Sequence, residues 1–280
     1  MILNAEECGV AVPKVIKWKQ LPELKKILTQ NKQPLVVKLR RGNSAKGVFY
    51  PQTNTEAMQL CENLITQYDL TPERYPVVQK RVSGEGWGVS CLYWRGERLA
   101  SFTHKRLREK TATGGTSTLR ESRRNPLLES MAHTLLDKLG WHGLAMVEFK
   151  YDPVTLQGWF IEINPRLWGS IHLAIACGVD FPSWLYLVAT EGTEKVRSLV
   201  IPQLEGVVAR WYLGDCIAAV EALQRKKIRQ AIRMLMPGGA DTYDDLFWDD
   251  PSAFLGEIFC YLTTFAKKRS LNPEQDGMLG

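Results

Sequence analysis

The chain has 280 residues, of which 45% are hydrophobic and 24% are charged, and this balance is typical of a globular protein and excludes a disordered one. No apolar run reaches the roughly 18 residues that a membrane-spanning helix needs, and the first residues lack the basic start and apolar stretch of a signal peptide. The six Cys are scattered without a Cys-x-x-Cys pair. Their pattern excludes a disulfide scaffold, disfavours a zinc module and predicts a reducing, cytoplasmic environment.

The net charge of +6 comes from one part of the chain. Residues 71–124 contain 12 basic residues against 5 Glu, an excess of seven. A basic segment of this kind fits either a nucleic acid or a cleft for a small polyanion, and charge alone does not decide between them.

In chain order, the patterns predict a mixture of helices and strands. Apolar residues at helical spacing predict helices at 22–30, 55–68, 127–139, 215–226 and 251–267. Runs rich in β-branched and aromatic residues predict strands at 34–39, 48–50, 76–82, 89–94, 99–104, 145–151, 158–164 and 207–212. Because these elements do not alternate regularly, we expect an α+β fold with two lobes.

The strands at 145–151 and 158–164 carry the most informative side chains. Alternate residues of a strand share a face, so Glu162 and Asn164 point the same way. If the hairpin is symmetric about its six-residue loop, Glu148 lies opposite Glu162. Carboxylates directly across a sheet repel each other, and Mg²⁺, which prefers oxygen ligands, removes that repulsion. The pattern therefore predicts a metal site of Glu148, Glu162 and Asn164, with a solvated polar face as the alternative.

A glycine-rich loop, Gly42 to Gly47, follows the strand at 34–39, and Lys38 precedes it. The loop is not a Walker A motif, because the Lys-Ser/Thr pair and the helix that complete that motif are missing. The backbone N–H groups of such a loop can still bind phosphates, with Lys38 as a point charge. A plain hairpin turn is the alternative.

A basic stretch from Thr103 to Glu109 precedes a second glycine-rich segment, Thr113 to Ser117. Dense positive charge beside these hydroxyl groups suits an anionic substrate, and a solvated basic strand is the alternative. The sequence contains no Gly-x-Ser-x-Gly and no His-Glu-x-x-His, so hydrolase triads and zinc chemistry have no support.

Taken in order, these segments resemble the ATP-grasp superfamily. Glu162-Ile163-Asn164-Pro165-Arg166 is similar to its closing signature, and Glu148 stands where that family has its other metal carboxylate. The Lys38 strand, the 42–47 loop and the strand at 78–82 resemble its phosphate-binding strand, its flap and its hinge. The segments 83–90, 104–109, 113–115 and 120–122 are similar to a branch of predicted carboxylate–amine ligases related to carbamoyl phosphate synthase large chains.

The resemblance implies an ATP-grasp fold with the nucleotide between the antiparallel sheets of two lobes. It implies a small lobe at 1–80, a large lobe with the metal site at 81–200, and a C-terminal α/β extension at 201–280 that packs on the large lobe. The implied activity is that of an ATP-dependent ligase, which activates a small-molecule carboxylate as an acyl phosphate for attack by an amine. An ATP-binding module without independent turnover is the alternative.

The resemblance also implies the roles of individual residues. Mg²⁺, or Mn²⁺ in its place, would be held by Glu148, Glu162 and Asn164. The residues that it implies for the nucleotide are Lys38, Ser44, Gly47, Gln79, Lys80, Val82 and, for the ribose, Glu85. Arg166, Lys105 and Arg106 would bind the acyl phosphate or carboxylate.

The sequence departs from the family in two places. Gly86 stands where many relatives have the Glu that binds ribose, with Glu85 one position earlier. Relatives also carry an N-terminal α/β domain before the point where this sequence begins, so that domain is a separate partner chain, was lost, or is missing from a fragment. We expect no nucleic-acid or membrane partner, and a homodimer is a further expectation.

Overall fold

The computed structural model describes residues 2–40, 47–111, 114–247 and 249–268. Within them the chain forms two compact units, a small unit at 13–82 and a large unit composed of 2–12 and 83–268. The elements in chain order are α1 (Ile2–Glu7), β1 (Val15–Ile16), α2 (Leu21–Gln30), β2 (Leu35–Lys38), β3 (Val48–Phe49), α3 (Asn54–Gln67), β4 (Val77–Lys80), β5 (Glu85–Trp94), β6 (Glu97–Thr111), β7 (Gly114–Ser122), α4 (Pro126–Lys138), β8 (Gly143–Asp152), β9 (Gln157–Asn164), α5 (Ile171–Ala176), α6 (Phe181–Thr190), α7 (Thr193–Arg197), β10 (Val208–Arg210), α8 (Tyr212–Gln224), α9 (Ile228–Leu235), β11 (Thr242–Tyr243) and α10 (Pro251–Lys268).

The small unit is an antiparallel sheet, ordered β1-β4-β2-β3, with α2 and α3 on one face. The hydroxyl of Thr53 accepts a hydrogen bond from the Glu56 N–H and fixes the start of α3. Leu35, Val37 and Val78 are buried against the helices. Because strand residues alternate in direction, the remaining positions of β2 and β4 point to the other face.

The large unit is built on a mostly antiparallel sheet ordered β11-β10-β7-β6-β5-β8-β9. Alternate residues of β5 supply cores on both faces. Trp87, Val89 and Cys91 pack with α4 on one face, whereas Leu92 joins a core with α5 and α6 on the other. The predicted α+β class and the ATP-grasp pattern of two mostly antiparallel sheets are confirmed.

The N-terminal residues 2–12 pack on the large unit, although the sequence suggested that 1–80 forms the small lobe. Ala5 and Val10 are buried in the core beside α4, and the Phe160 N–H donates to the Ala11 carbonyl at 2.8 Å. The segment therefore completes the large unit before the chain enters the small unit.

The C-terminal residues up to 268 also belong to the large unit. β10 pairs antiparallel with β7, and β11 continues the sheet beyond β10. The Asp215 carboxylate, fully buried on α8, accepts a hydrogen bond from Arg210 Nε at 2.7 Å and pairs with Arg108 of β6. Charged contacts thus bind this segment to the central sheet.

Several elements differ from the sequence-based prediction. β5 begins at Glu85, four residues before its predicted start. Of the glycine-rich segment predicted at 113–117, Thr113 lies outside the described residues and the rest belongs to β7. The helices α1, α5, α6, α7 and α9 were not predicted. Glycine disfavours a strand at 85–88, but β6 and β8 pair with β5 on both sides, and that pairing outweighs the local preference of glycine.

Among the described residues, no helix is both long enough and apolar enough to cross a membrane.

The partly buried His133 on α4 predicts how stability depends on pH. Its Nε2 lies 3.1 Å from the Ser101 hydroxyl, and burial lowers the pKa of His133 from 6.5 to about 4. Between these values the unfolded chain binds more protons than the folded chain, so stability is lost as the pH falls. We expect His133 to account for a loss of about 2 kcal/mol between pH 7 and pH 5.

Urea unfolding of the wild type and of His133→Gln at both pH values measures this effect. The variant should lose less stability on acidification than the wild type. An equal loss in both proteins would contradict the prediction.

Candidate functional site

A row of five residues crosses the centre of the large sheet from β7 to β9. In register these residues are Ser122, His104, Gly88, Glu148 and Glu162. Glu148 lies directly opposite Glu162, and Met146 lies opposite Asn164. Nearer the loop the pairing is shifted by one residue, with a β-bulge between Glu148 and Phe149. The predicted opposition of the two carboxylates is therefore observed, although the bulge and not symmetry about the loop produces it, and the two lie side by side on one face.

Two glycines of β5 leave that face open. A Cβ atom at Gly88 would lie 2.4 Å from Cε1 of His104, and one at Gly86 would lie 3.0 Å from Cδ of Arg106. Both side chains of β6 therefore extend across β5 in the space that a larger residue would fill. This arrangement brings the Arg106 guanidinium to Glu148, one strand further on.

Arg106 and Asn164 both bind Glu148. Arg106 Nη2 lies 2.6 Å from Glu148 Oε1, and Asn164 Nδ2 donates to the same oxygen at 2.9 Å. Burial alone would lower the pKa of Arg106, but the carboxylates of Glu148 and Glu109 raise it, so the guanidinium stays charged. The face thus combines two carboxylates, an amide and a fixed cation.

The same face carries buried polar atoms. Within the described residues, both ring nitrogens of His104, the Ser90 hydroxyl, and Nε and Nη1 of Arg120 have no hydrogen-bond partner. Burial lowers the pKa of His104 well below its usual value, and the charges of Arg106 and Arg120 lower it further, so the ring is neutral. Buried polar groups in proteins are nearly always paired, so polar atoms of a ligand or of water suit this part of the face.

The residues present fit a divalent cation. Two carboxylates and the carbonyl of Asn164 form an all-oxygen set, which Mg²⁺ and Mn²⁺ accept. The described residues contain no group of three or more His, Cys, Asp or Glu that could hold a metal ion. The site as described therefore depends on the amide of Asn164 as well as on the two carboxylates.

A pocket of about 360 Å³ opens at the end of β5 and β6. Strand alternation points Lys105 and Glu85 away from the face of Arg106, and they form a salt bridge with each other at 2.8 Å. Both nevertheless reach the pocket. Its lining residues are Gly84, Glu85, Gly86, Lys105, Arg106, Leu107, Arg108, Glu109 and Lys150.

Arg166 is exposed and donates from Nη1 to the Leu167 carbonyl at 3.0 Å. Its expected position on the face of Glu162 assumed that the strand continues, but β9 ends at Asn164. The following Pro165 has no N–H to extend the ladder. Strand alternation therefore does not place Arg166.

In the small unit, two of the predicted nucleotide residues share a sheet face. Lys38 and Gln79 lie on the face opposite α2 and α3, since Gln79 pairs with Val36, two residues before Lys38. Gln79 is buried, and within the described residues its Oε1 has no hydrogen-bond partner. Lys80 pairs with Leu35 on the other face and is exposed.

Further residues predicted to bind the nucleotide are Val82, Gly47 and Ser44. Val82 follows β4 outside any strand and is half-buried. Gly47 has a φ of +70° and its carbonyl accepts from the Leu39 N–H at 2.8 Å. Ser44 lies outside the described residues, as does the rest of the loop at 41–46.

Sequence reasoning missed His104, Gly86 and Gly88 as parts of the site. The signal was present, because two glycines two positions apart lie on one face if 85–94 is a strand. The sequence analysis places the start of this strand at residue 89, so the two glycines and their effect on the neighbouring strands are not part of the prediction.

Comparisons with known proteins agree with the fold. Residues 73–211 match the family model described as ATP-grasp in the biosynthetic pathway with Ter operon. No curated protein sequence matches the chain. Among solved structures, the biotin carboxylase domain of Hydrogenobacter thermophilus 2-oxoglutarate carboxylase with MgADP and bicarbonate is 16% identical, with a TM-score of 0.57 over 68% of this chain and 44% of that chain.

Two other solved structures are similar. An N5-carboxyaminoimidazole ribonucleotide synthetase in complex with ADP is 16% identical, with a TM-score of 0.59 over 81% of this chain and 58% of that chain. Campylobacter jejuni biotin carboxylase is 15% identical, with a TM-score of 0.54 over 72% of this chain and 46% of that chain. This chain therefore spans about half the length of these proteins, and the likeness is one of fold.

The contact between Gly88 and His104 predicts the effect of a single methyl group. Gly88→Ala should displace the buried imidazole and lower the free energy of unfolding by about 1–3 kcal/mol, the usual cost of overpacking. Denaturant unfolding measures this cost. Gly169→Ala is the matched control, because Gly169 lies outside the helices and strands, has no positive φ, and a Cβ there meets nothing within 4 Å.

Adding His104→Ala to Gly88→Ala should relieve the clash. If the double variant costs as much as the sum of its two single variants, the imidazole is not what Gly88 accommodates.

Proposed function

This chain belongs to the ATP-grasp superfamily, and we propose that it is an ATP-dependent ligase that activates a carboxylate as an acyl phosphate for attack by an amine. The observation that carries the proposal is the pair Glu148 and Glu162 on one face of the large sheet, with Asn164 and Arg106 in contact with Glu148. Such a set suits a metal-bound polyphosphate beside a fixed positive charge.

In this proposal, Glu148, Glu162 and the carbonyl of Asn164 hold Mg²⁺, or Mn²⁺ in its place. When bound, the metal neutralises charge on the phosphates of ATP. Lys38, Ser44 and Gly47, which the family resemblance implies for the phosphates, would contribute to nucleotide binding. Backbone and side-chain groups of Gln79, Lys80 and Val82 contact the adenine. Glu85 would have to leave Lys105 to bind ribose, since the two form a salt bridge at 2.8 Å.

A carboxylate oxygen of the substrate attacks the γ-phosphorus, ADP leaves, and the acyl phosphate remains. The amine nitrogen then attacks the acyl carbon, and inorganic phosphate leaves. Arg106 and Arg166 carry planar guanidinium groups that match a carboxylate or phosphate, and Lys105 adds charge at the pocket beside Arg106. The bicarbonate in the H. thermophilus structure is an example of a small carboxylate-like anion in a similar fold.

An ATP-binding module without independent turnover is the second candidate. It stands beside the first because the likeness covers only 44–58% of the three solved structures compared with it, so the activity of those whole proteins does not pass to this chain. A partner chain that supplies a further domain would then be needed for the acceptor. Binding and turnover must therefore be measured separately.

Binding is tested by thermal unfolding with ATP, in the presence of Mg²⁺ or EDTA. A ligand that binds only the folded protein stabilises it by about 2.7 kcal/mol at a hundredfold excess over its Kd. We expect ATP with Mg²⁺ to raise the midpoint more than ATP with EDTA, and Glu162→Ala to remove that difference. Glu194→Ala, at an exposed carboxylate of the same unit, should retain it.

Turnover is tested by ADP release against pools of carboxylates, with hydroxylamine as the trapping nucleophile. Acyl phosphates react with hydroxylamine to give hydroxamates, so hydroxamate formation should accompany ADP release. A magnesium-dependent shift without any hydroxamate would favour the binding module. The absence of any shift at millimolar ATP would contradict both candidates for this chain alone.

A further inference from the structure

The contacts of Glu148 indicate more than a metal ligand. Its Oε1 atom accepts from Arg106 Nη2 at 2.6 Å and from Asn164 Nδ2 at 2.9 Å. Both contacts are shielded, since the side chains of Arg106 and Glu148 are only 13% and 15% exposed. The oxygen that faces Arg106 is thus hydrogen-bonded to two N–H donors, and one of them belongs to a charged group.

Arg106 also has a second set of partners. Its Nη1 lies 3.4 Å from Glu109 Oε1 and 3.5 Å from the carbonyl of Gly115. These contacts are longer than the contact with Glu148, so the guanidinium is held mainly by Glu148 and more weakly by Glu109. Gly86 gives the side chain room to lie in this position across β5.

We propose that Arg106 is an internal counter-ion that competes with the divalent metal for Glu148, so that metal binding releases its guanidinium toward Glu109 and the substrate. This inference rests on the proposed function, because it uses the same metal site. Two cations cannot share Glu148 Oε1 without strong repulsion in a shielded place. The Asn164 amide must turn as well, because its N–H₂ donates to Glu148 whereas its carbonyl would bind the metal.

This competition couples two steps of the reaction. In the absence of metal, Arg106 neutralises Glu148, and Nη2 of Arg106 binds that carboxylate. Once the metal takes its place, the same guanidinium can bind a carboxylate or a phosphoryl group. Arg106 would then position the acid substrate only after the metal is bound.

The test measures metal affinity directly, by titration of the full chain with Mn²⁺ followed by electron paramagnetic resonance of free Mn²⁺. Arg106→Met removes the competing charge but keeps much of the apolar stem. We expect it to bind Mn²⁺ about tenfold more tightly than the wild type, which corresponds to about 1.4 kcal/mol. Arg124→Met is the matched control, because Arg124 pairs with Glu129 at 2.7 Å away from the site, and its Mn²⁺ affinity should not change.

Glu109→Gln tests the proposal in the opposite direction. It removes the charge toward which Arg106 moves, so Mn²⁺ should bind more weakly than in the wild type. This variant also decides the matter if Arg106→Met does not fold, which far-ultraviolet circular dichroism would show.

Unchanged or weaker Mn²⁺ binding by folded Arg106→Met, with binding still abolished by Glu162→Ala, would overturn the inference and leave the metal site standing. The absence of Mn²⁺ binding in the wild type and in Arg106→Met, with and without ADP, would overturn the metal site of the proposed function and the inference with it.

Discussion

Repulsion between two carboxylates is the constraint on which the rest of the site depends. Glu148 and Glu162 are register partners on neighbouring strands, and like charges in that position destabilise a sheet. A positive charge must therefore come from elsewhere, and it comes from β6, two strands away from the strand of Glu148, β8. Arg106 can span that distance only because Gly86 and Gly88 leave the surface of β5 bare. The negative charge of the β8–β9 hairpin thus determines which residues the neighbouring strand β5 can carry.

β5 can carry these two glycines because only its other face has to be well packed at that point. Trp87, Val89 and Cys91 are buried against α4 and supply the apolar contacts that stabilise the strand. Glycine would weaken a strand that depended on both faces, but here the pairing on both sides and one well-packed face compensate. The other face is thereby free to hold groups that would destabilise a core, such as the neutral, buried imidazole of His104.

The sequence predicted the parts of the site that follow from local geometry. Alternation places Glu162 and Asn164 on one face, and a symmetric hairpin predicts that Glu148 is near Glu162. In the structure their direct opposition depends on a β-bulge between Glu148 and Phe149. The reach of Arg106 could not, because it depends on glycines of a strand paired with β6, and pairing between strands is a tertiary property. The position of Arg166 was inferred from a strand that in fact ends at Asn164, before a proline. Adjacent Lys105 and Arg106 were grouped by charge, although alternation separates their faces.

The C-terminal segment contributes to the site through buried charge. Arg120 of β7 is fully buried and pairs with Asp244, and Arg108 of β6 pairs with Asp215, which also binds Arg210. Removing one partner of a buried ion pair leaves an uncompensated charge, and that cost is much larger than the net value of the pair. Residues 208–247 therefore cannot be separated from β6 and β7 without exposing these arginines to solvent or leaving them buried without their acidic partners. Since β6 carries both His104 and Arg106, the C-terminal segment helps to hold in place the strand whose arginine neutralises Glu148.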